Sequence, residues 1–326
     1  MKYWFAASSE EFTPSEMVEQ AKAAEEAGFD GLGASDHFAP WFSDGEASQA
    51  WVTLAAMGQV TSLPLGTGVT PVQHHYHPGA IAQAFMSLEE LYPGRVFLGV
   101  GSGEAVNEVP LGLDWPKFSE QKKRFEAGLE AITRLWDGET VTTDGGWFSL
   151  KEAKLWTRAQ SRPKMYVSAF GPQAAEVAGK YGDGLWTLGD PESAPEIVEA
   201  YEQACEKNGK EVGEIIFHPG FAWAADDSAA VQGARRWKPT QLPELYLEDI
   251  PDQEDMQRRA DEQMTDEQFA KEGFLVGSDT DEHVNRIREM EQAGATVICL
   301  QLIGQADPMG SIRTYGEKVL PALRGA

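Results

Sequence analysis

Short apolar runs alternate with helical patterns along this chain, and the same join recurs between them. Ala27-Gly28-Phe29-Asp30-Gly31, Tyr181-Gly182-Asp183-Gly184 and Gln292-Ala293-Gly294-Ala295 each put Gly between a helix and the next strand. The runs predict eight strands: 2–8, 30–35, 63–69, 95–100, 164–169, 184–187, 214–224 and 295–303. Each is followed by a helical pattern. Thr13-Pro14-Ser15-Glu16 is a helix start, with Thr as N-cap, Pro at the first turn and Glu three residues on. Helices are expected over 50–60, 78–91, 118–136, 173–180, 193–208, from about 228, over 281–293, and over 308–323 with Asp307 as N-cap. A strand–helix unit repeated eight times with tight returns predicts a parallel (β/α)8 barrel.

A doubly wound sheet is the competitor. It wants a Gly-rich fingerprint after the first strand. Here that strand runs into Ser8-Ser9-Glu10-Glu11, and Gly99, Gly101 and Gly103 follow the fourth strand in a different spacing. The 326 residues suit one barrel domain over 1–326 with insertions. Two stretches break the repeat. Residues 137–157 read as a hairpin turning at Asp144-Gly145-Gly146. Residues 240–272 form an acidic segment with eleven acids against three bases, in a position where barrels carry lids.

Charge removes several function classes. Asp and Glu number 52 against 27 Lys and Arg, a net −25, so neither a nucleic-acid footprint nor a polybasic membrane patch is expected. No run of about 18 apolar residues predicts a membrane helix, and no signal-peptide pattern follows the opening residues. Cys205 and Cys299 lie in apolar-periodic stretches. They read as buried, reduced thiols, from which a cytoplasmic location follows.

A barrel gathers its chemistry at the C-terminal ends of its strands. Those ends carry Glu10, Asp36-His37, Gly68-Val69-Thr70, Gly101–Asn107, Ser168–Pro172, Thr187 and Asp226-Asp227. Asp36-His37 is the sharpest pair, since imidazole accepts protons near neutral pH and a carboxylate beside it favours its charged form. A capping Asp beside a surface His is the alternative. Trp41 offers an aromatic wall for a planar cofactor or plain packing. In the Gly101–Asn107 loop, Gly101, Ser102 and Gly103 let backbone approach a flat or anionic group, and Glu104 enters the site; a tight turn is the other reading. Ser168, Ala169, Phe170 and Gly171 lead into a helix N-terminus, a natural phosphate cradle or an ordinary turn. His74, His75 and His77 lack the spacing and extra ligands of a metal site, so no metal is expected. Ser102 lacks partners in hydrolase order.

Several motifs together resemble a known family. They are Ser8–Phe12, Ser35-Asp36-His37-Phe38-Ala39-Pro40-Trp41, Leu65–Val69, Ile81–Phe85, Arg95–Glu108 and Gly182-Asp183-Gly184. The chain is similar over nearly its whole length to the deazaflavin (coenzyme F420)-dependent oxidoreductases of the luciferase-like superfamily, in the branch of the F420-dependent glucose-6-phosphate dehydrogenases. The resemblance implies a (β/α)8 barrel with insertions, F420 as cofactor, a small-molecule alcohol or sugar as substrate, and a homodimer. It implies that His37 takes the hydroxyl proton while hydride passes to C5 of the deazaflavin. Trp41 would line the substrate and Glu104 would protonate the reduced cofactor. Asp36 would contact the ring, and a non-proline cis peptide at Gly68-Val69 would support it. The loop from Gly101 to Asn107 and residues Ser168 to Gly171 would hold the cofactor. Glu10, Thr187 and Arg258 match substrate-side positions. Asp190 and Glu272 stand where sugar-phosphate enzymes of the family carry bases, which counts against a phosphorylated substrate. An FMN-dependent monooxygenase, or an F420-dependent reductase working in the opposite direction, is the alternative function.

Overall fold

Eight parallel strands close on themselves in the computed structural model, which describes residues 1–72, 75–144 and 146–325 and leaves aside the side chains at 247, 272 and 273. In chain order the strands are β1 (Lys2–Ala7), β2 (Gly31–Ala34), β3 (Leu65–Pro71), β4 (Val96–Gly101), β5 (Val141–Asp144), β6 (Ser149–Ala153), β7 (Lys164–Ser168), β8 (Gly184–Thr187), β9 (Glu214–Phe217), β10 (Gly220–Trp223), β11 (Leu275–Gly277) and β12 (Val297–Leu302). The ring runs β1-β2-β3-β4-β7-β8-β9-β12, and β12 returns to β1 with Val297 opposite Lys2 and Gln301 opposite Ala6. This is the (β/α)8 barrel the alternation predicts. β5 and β6 form the expected antiparallel hairpin, whose central Gly145 lies outside the described residues.

Local chemistry accounts for the helices. Thr13 and Glu16 form a reciprocal capping box at the start of Pro14–Glu26. Asp307 accepts from the Gly310 N–H ahead of Pro308–Thr314. Helices Ala50–Val60, Pro78–Leu91 and Phe118–Trp136 have the expected ends. One strand differs. The run 214–224 reads as a single strand, but it divides at His218-Pro219 into β9 and β10. Pro219 has no N–H for a ladder. Its carbonyl accepts from the Gln301 N–H, and the chain past the break pairs with the far end of β12 and with β11.

The barrel interior is filled by unequal partners. Trp4, Phe97, Tyr166 and Trp186 pack together there with Ile216, Val297 and Cys299. Trp4 and Phe97 stack with ring centres 4.8 Å apart. Neighbouring strands make room with glycine. A Cβ on Gly31 would stand 2.7 Å from the Trp4 ring, and one on Gly66 would stand 2.0 Å from the Phe97 carbonyl oxygen. Large side chains against bare backbone give close packing. Removing an aromatic of this kind costs about 3–5 kcal/mol.

Outside the barrel, the acidic 240–272 stretch is mainly helical, including Glu244–Leu247 and Gln253–Gln263. It packs a second apolar cluster onto the loop after β2. Trp237, Leu242, Leu245, Met256 and Phe269 meet Trp41 and Phe42 there. The barrel positions the strand ends, and this cluster fixes a cover beside them.

Candidate active site

At the C-terminal ends of the strands, carboxylates and one imidazole meet. His37, after β2, has Nε2 3.4 Å from Glu10 Oε1, after β1. Glu10 is buried, and its other oxygen accepts from Ser35 Oγ. On the far side of the ring, Nδ1 lies 3.3 Å from the Ala39 carbonyl and 3.2 Å from Asn107 Nδ2. Asn107 also donates to Glu104 Oε2 at 3.0 Å. Its Oδ1 accepts from the Phe38 and Ala39 N–H groups at 2.9 and 3.2 Å. One fully buried amide thus ties the loop after β4 to the loop that carries His37. The Trp41 ring stands 5.3 Å from the imidazole.

These groups shift one another. Burial alone would lower the His37 pKa, but the carboxylates of Glu10, Glu104 and Asp36 outweigh it and hold the imidazole above its ordinary value. Burial raises Glu104, against the opposing pull of His37 and the Asn107 hydrogen bond. Burial likewise raises Asp36, against donation from Thr70 and Tyr76. Asp36 takes three side-chain donors: Thr70 Oγ1 at 2.6 Å, Trp51 Nε1 at 3.0 Å and Tyr76 OH at 3.1 Å. Its carboxylate is held from beneath by β3 and two helix starts.

The remaining candidates separate into groups. The Gly68-Val69 peptide is cis, where the ladder of β3 against β4 shifts register. A Cβ on Gly68 would stand 2.4 Å from the Trp186 ring, and one on Gly101 2.7 Å from Val69 Cγ2, so bare backbone lets Val69 seat over β4. Gly103 adopts φ +82°, which glycine tolerates best. Ser102 lies half-covered between them. Ser168 ends β7, Ala169 is buried, Phe170 is exposed, and Gly171 caps helix Pro172–Tyr181 without a side-chain bond. Thr187 is buried at the end of β8. Arg258 is not brought to this group. It stands exposed on Gln253–Gln263, paired with Asp255 and Glu262 of its own helix. Asp190 accepts from the N–H and Oγ of Ser193 at the start of the next helix. The side chain of Glu272 and all of His74 lie outside the described residues.

Further residues take roles that the sequence does not assign them. Glu11 Oε2 accepts from Trp237 Nε1 and the Gly304 N–H, both at 2.7 Å, and Arg236 lies 3.8 Å from Oε1. Burial pushes this carboxyl up to about 7. Its position beside Glu10 is the one sequence signal. His75 Nδ1 lies 2.8 Å from Glu108 Oε1, and its Nε2 is buried without a partner. His77 caps helix Pro78–Leu91 by accepting from the Gly79 N–H. Tyr246, from the acidic segment, has ring centres 5.7 Å from Trp41 and 5.4 Å from Phe170. Nothing in its local sequence marks it beyond an aromatic among acids. A cavity of about 280 Å³ opens at the opposite end of the barrel, under Trp4 and Tyr166, away from all these groups.

Comparison with known proteins shows the family to which the chain belongs. The family model described as luciferase-like monooxygenase matches residues 4–297. The chain is 37% identical over 331 residues to an F420-dependent glucose-6-phosphate dehydrogenase of Microbacterium testaceum, covering 99% of this chain and 98% of that protein. A protein of the same description from Nakamurella multipartita is 37% identical over 335 residues, at 99% and 97% coverage. Among solved structures, an F420-dependent secondary alcohol dehydrogenase in complex with an F420-acetone adduct superposes with a TM-score of 0.93 at 30% identity, over 99% of each chain.

Proposed function

The chain belongs to the luciferase-like monooxygenase family, and from that premise we propose that it is an F420-dependent oxidoreductase acting on the CH–OH group of an alcohol or sugar. The observation that carries the reading is the His37 imidazole, set between Glu10 on one side and the Asn107–Glu104 pair on the other, with Trp41 beside it.

The residues present fit a deazaflavin. The N-terminus of helix Pro172–Tyr181 carries no side-chain cap, and open space stands where a Cβ of Gly171 would be. That suits a phosphate, with Ser168 to Gly171 around it. The orphaned His75 Nε2, near enough to Asp36 to act on its charge, suits a polar ring edge. Val69 over the bare glycines at 99 and 101 supports a flat face, and the loop from Gly101 to Asn107 borders it. F420, when bound, supplies the acceptor for the hydride that leaves the alcohol carbon.

His37 takes the hydroxyl proton as the carbonyl forms. Glu10 orients the imidazole and stabilises the imidazolium that results. In the reverse direction protonated His37 donates to the carbonyl oxygen. Glu104, whose carboxyl burial holds above its ordinary value, is the group that passes a proton to the reduced cofactor. Trp41 excludes water from the reacting carbon. Glu10 and Thr187 bound the substrate side. The barrel and its two insertions work as one unit, and the enzyme is a cytoplasmic homodimer; the buried, unpaired Cys205 and Cys299 fit a reducing compartment.

The test is to mix the purified protein with F420 and a panel of alcohols, sugars and sugar phosphates, following cofactor fluorescence and absorbance. Quenching on binding and bleaching with at least one donor are expected. A protein that leaves F420 fluorescence untouched defeats the reading.

A further inference from the structure

The charges around the substrate side point to what it accepts. Between 235 and 272 the chain has six Lys and Arg, and each is ion-paired with a carboxylate. The two least exposed, Arg236 and Lys238, each face two: Glu11 with Asp44, and Asp261 with Asp266. At the reacting end, the groups acting on His37 are the carboxylates of Glu10, Glu104 and Asp36. A phosphate ester here would meet carboxylates at close range and no uncommitted cation of this segment.

The walls are apolar and aromatic instead. Tyr246 reaches from the acidic segment to stand between Trp41 and Phe170. Its hydroxyl donates to the Thr240 carbonyl at 2.8 Å within its own segment, so its ring edge is what it offers the site. The carboxylates of Glu104 and Glu10 act on its hydroxyl as they do on His37, and Trp41, which its ring touches, is also the ring beside the imidazole. Around the mouth, Phe38, Phe170 and Leu188 stand exposed after the ends of β2, β7 and β8. Exposed large apolar side chains gathered at strand ends favour an apolar ligand.

We propose that the substrate is a small uncharged alcohol, or the matching carbonyl compound in reverse, enclosed by Trp41 and Tyr246, and that phosphate esters are rejected. Tyr246 is the specificity-determining residue: it limits the size of the carbon substituents that fit beside Trp41. The assignment rests on the functional reading above.

The experiment compares kcat/KM of the full-length protein, with F420 at fixed ionic strength, for 2-propanol, 2-butanol, glucose and glucose 6-phosphate. Tyr246→Phe and Tyr246→Ala follow, with F420 quenching and thermal melting checking that each is folded. The uncharged alcohols should exceed glucose 6-phosphate by about 100-fold or more, the scale of a buried like-charge penalty. Tyr246→Ala should raise KM for 2-propanol and extend turnover to bulkier alcohols, while Tyr246→Phe keeps the wild-type order. A preference for glucose 6-phosphate, with F420 still bound, overturns this assignment alone. An unchanged size profile in folded Tyr246→Ala overturns the role of Tyr246. Absence of F420 binding to the wild type overturns the functional reading, and this assignment with it.

Discussion

His37 Nε2 lies 3.4 Å from Glu10 Oε1, across the ends of two adjacent barrel strands. The pair joins a group that titrates near neutrality to a buried carboxylate. Its first consequence is a pH dependence. The imidazole must be neutral to accept a proton, and the carboxylates around it hold its pKa above the ordinary 6.5. Alcohol oxidation should therefore fall as pH drops through that raised value. Glu10→Gln removes the carboxylate that acts on the imidazole most strongly, so the acidic limb of kcat/KM should move to lower pH. A limb that stays in place would show that Glu10 does not set it.

Glu11 carries the opposite kind of linkage. Its folded pKa is raised from 4.5 to about 7, so its contribution to stability is present below 4.5 and is lost as pH rises through 7. The size is on the order of 3–4 kcal/mol at most, since each tenfold change in proton affinity is worth about 1.4 kcal/mol. Glu11→Gln keeps an oxygen for the Trp237 and Gly304 donors and removes the charge. Between pH 5 and 8 the variant's melting temperature should fall less than the wild type's. Parallel curves would refute the assignment.

Asn107 holds two loops together with one side chain. Asn107→Ala leaves the Phe38 and Ala39 N–H groups without their acceptor and frees Glu104. Each unsatisfied buried donor costs about 1–3 kcal/mol. Turnover should fall by about 10-fold or more, the effect of misplacing a catalytic group. Denaturant melts and kcat together check both effects.

Gly66→Ala tests the interior. The added Cβ would stand 2.0 Å from the Phe97 carbonyl oxygen, a backbone atom that cannot swing away. Overpacking of this kind costs about 1–3 kcal/mol. A variant as stable as wild type in urea would contradict the packing account.

Thr13→Ala should cost about 1 kcal/mol by removing a capping box on an exposed helix end, with activity unchanged. Thermal melting and steady-state assays read the two separately.

Much of the architecture is legible from local pattern. The helices at 50–60, 78–91 and 118–136 have the expected ends because apolar periodicity and the residues flanking each run mark both limits. The run 214–224 is less legible, since its apolar residues continue straight through Pro219; pairing partners decide where such a run bends. In the site, Asp36, His37, Glu104 and Asn107 stand out because polar residues at strand ends break an apolar pattern. Trp51 and Tyr76, which with the strand-end Thr70 hold Asp36, do not. The three donors come from separate segments, and no spacing along the chain relates them.

Periodicity, caps and glycine joins therefore determine the barrel, because each acts over a few residues and the strand–helix pattern they mark recurs along the chain. Strand-end chemistry determines which side chains can react. Tertiary structure alone decided the electrostatics of the site. Glu10 and His37 are 27 residues apart in sequence, and Tyr246 is 205 residues from Trp41; only barrel closure and the packing of the acidic segment bring them together. Arg258 makes the same point in reverse. Its charge is plain in the sequence, but the helix that carries it turns it outward to Asp255 and Glu262. Coulomb energies depend on distance and burial, and neither is written in the order of residues.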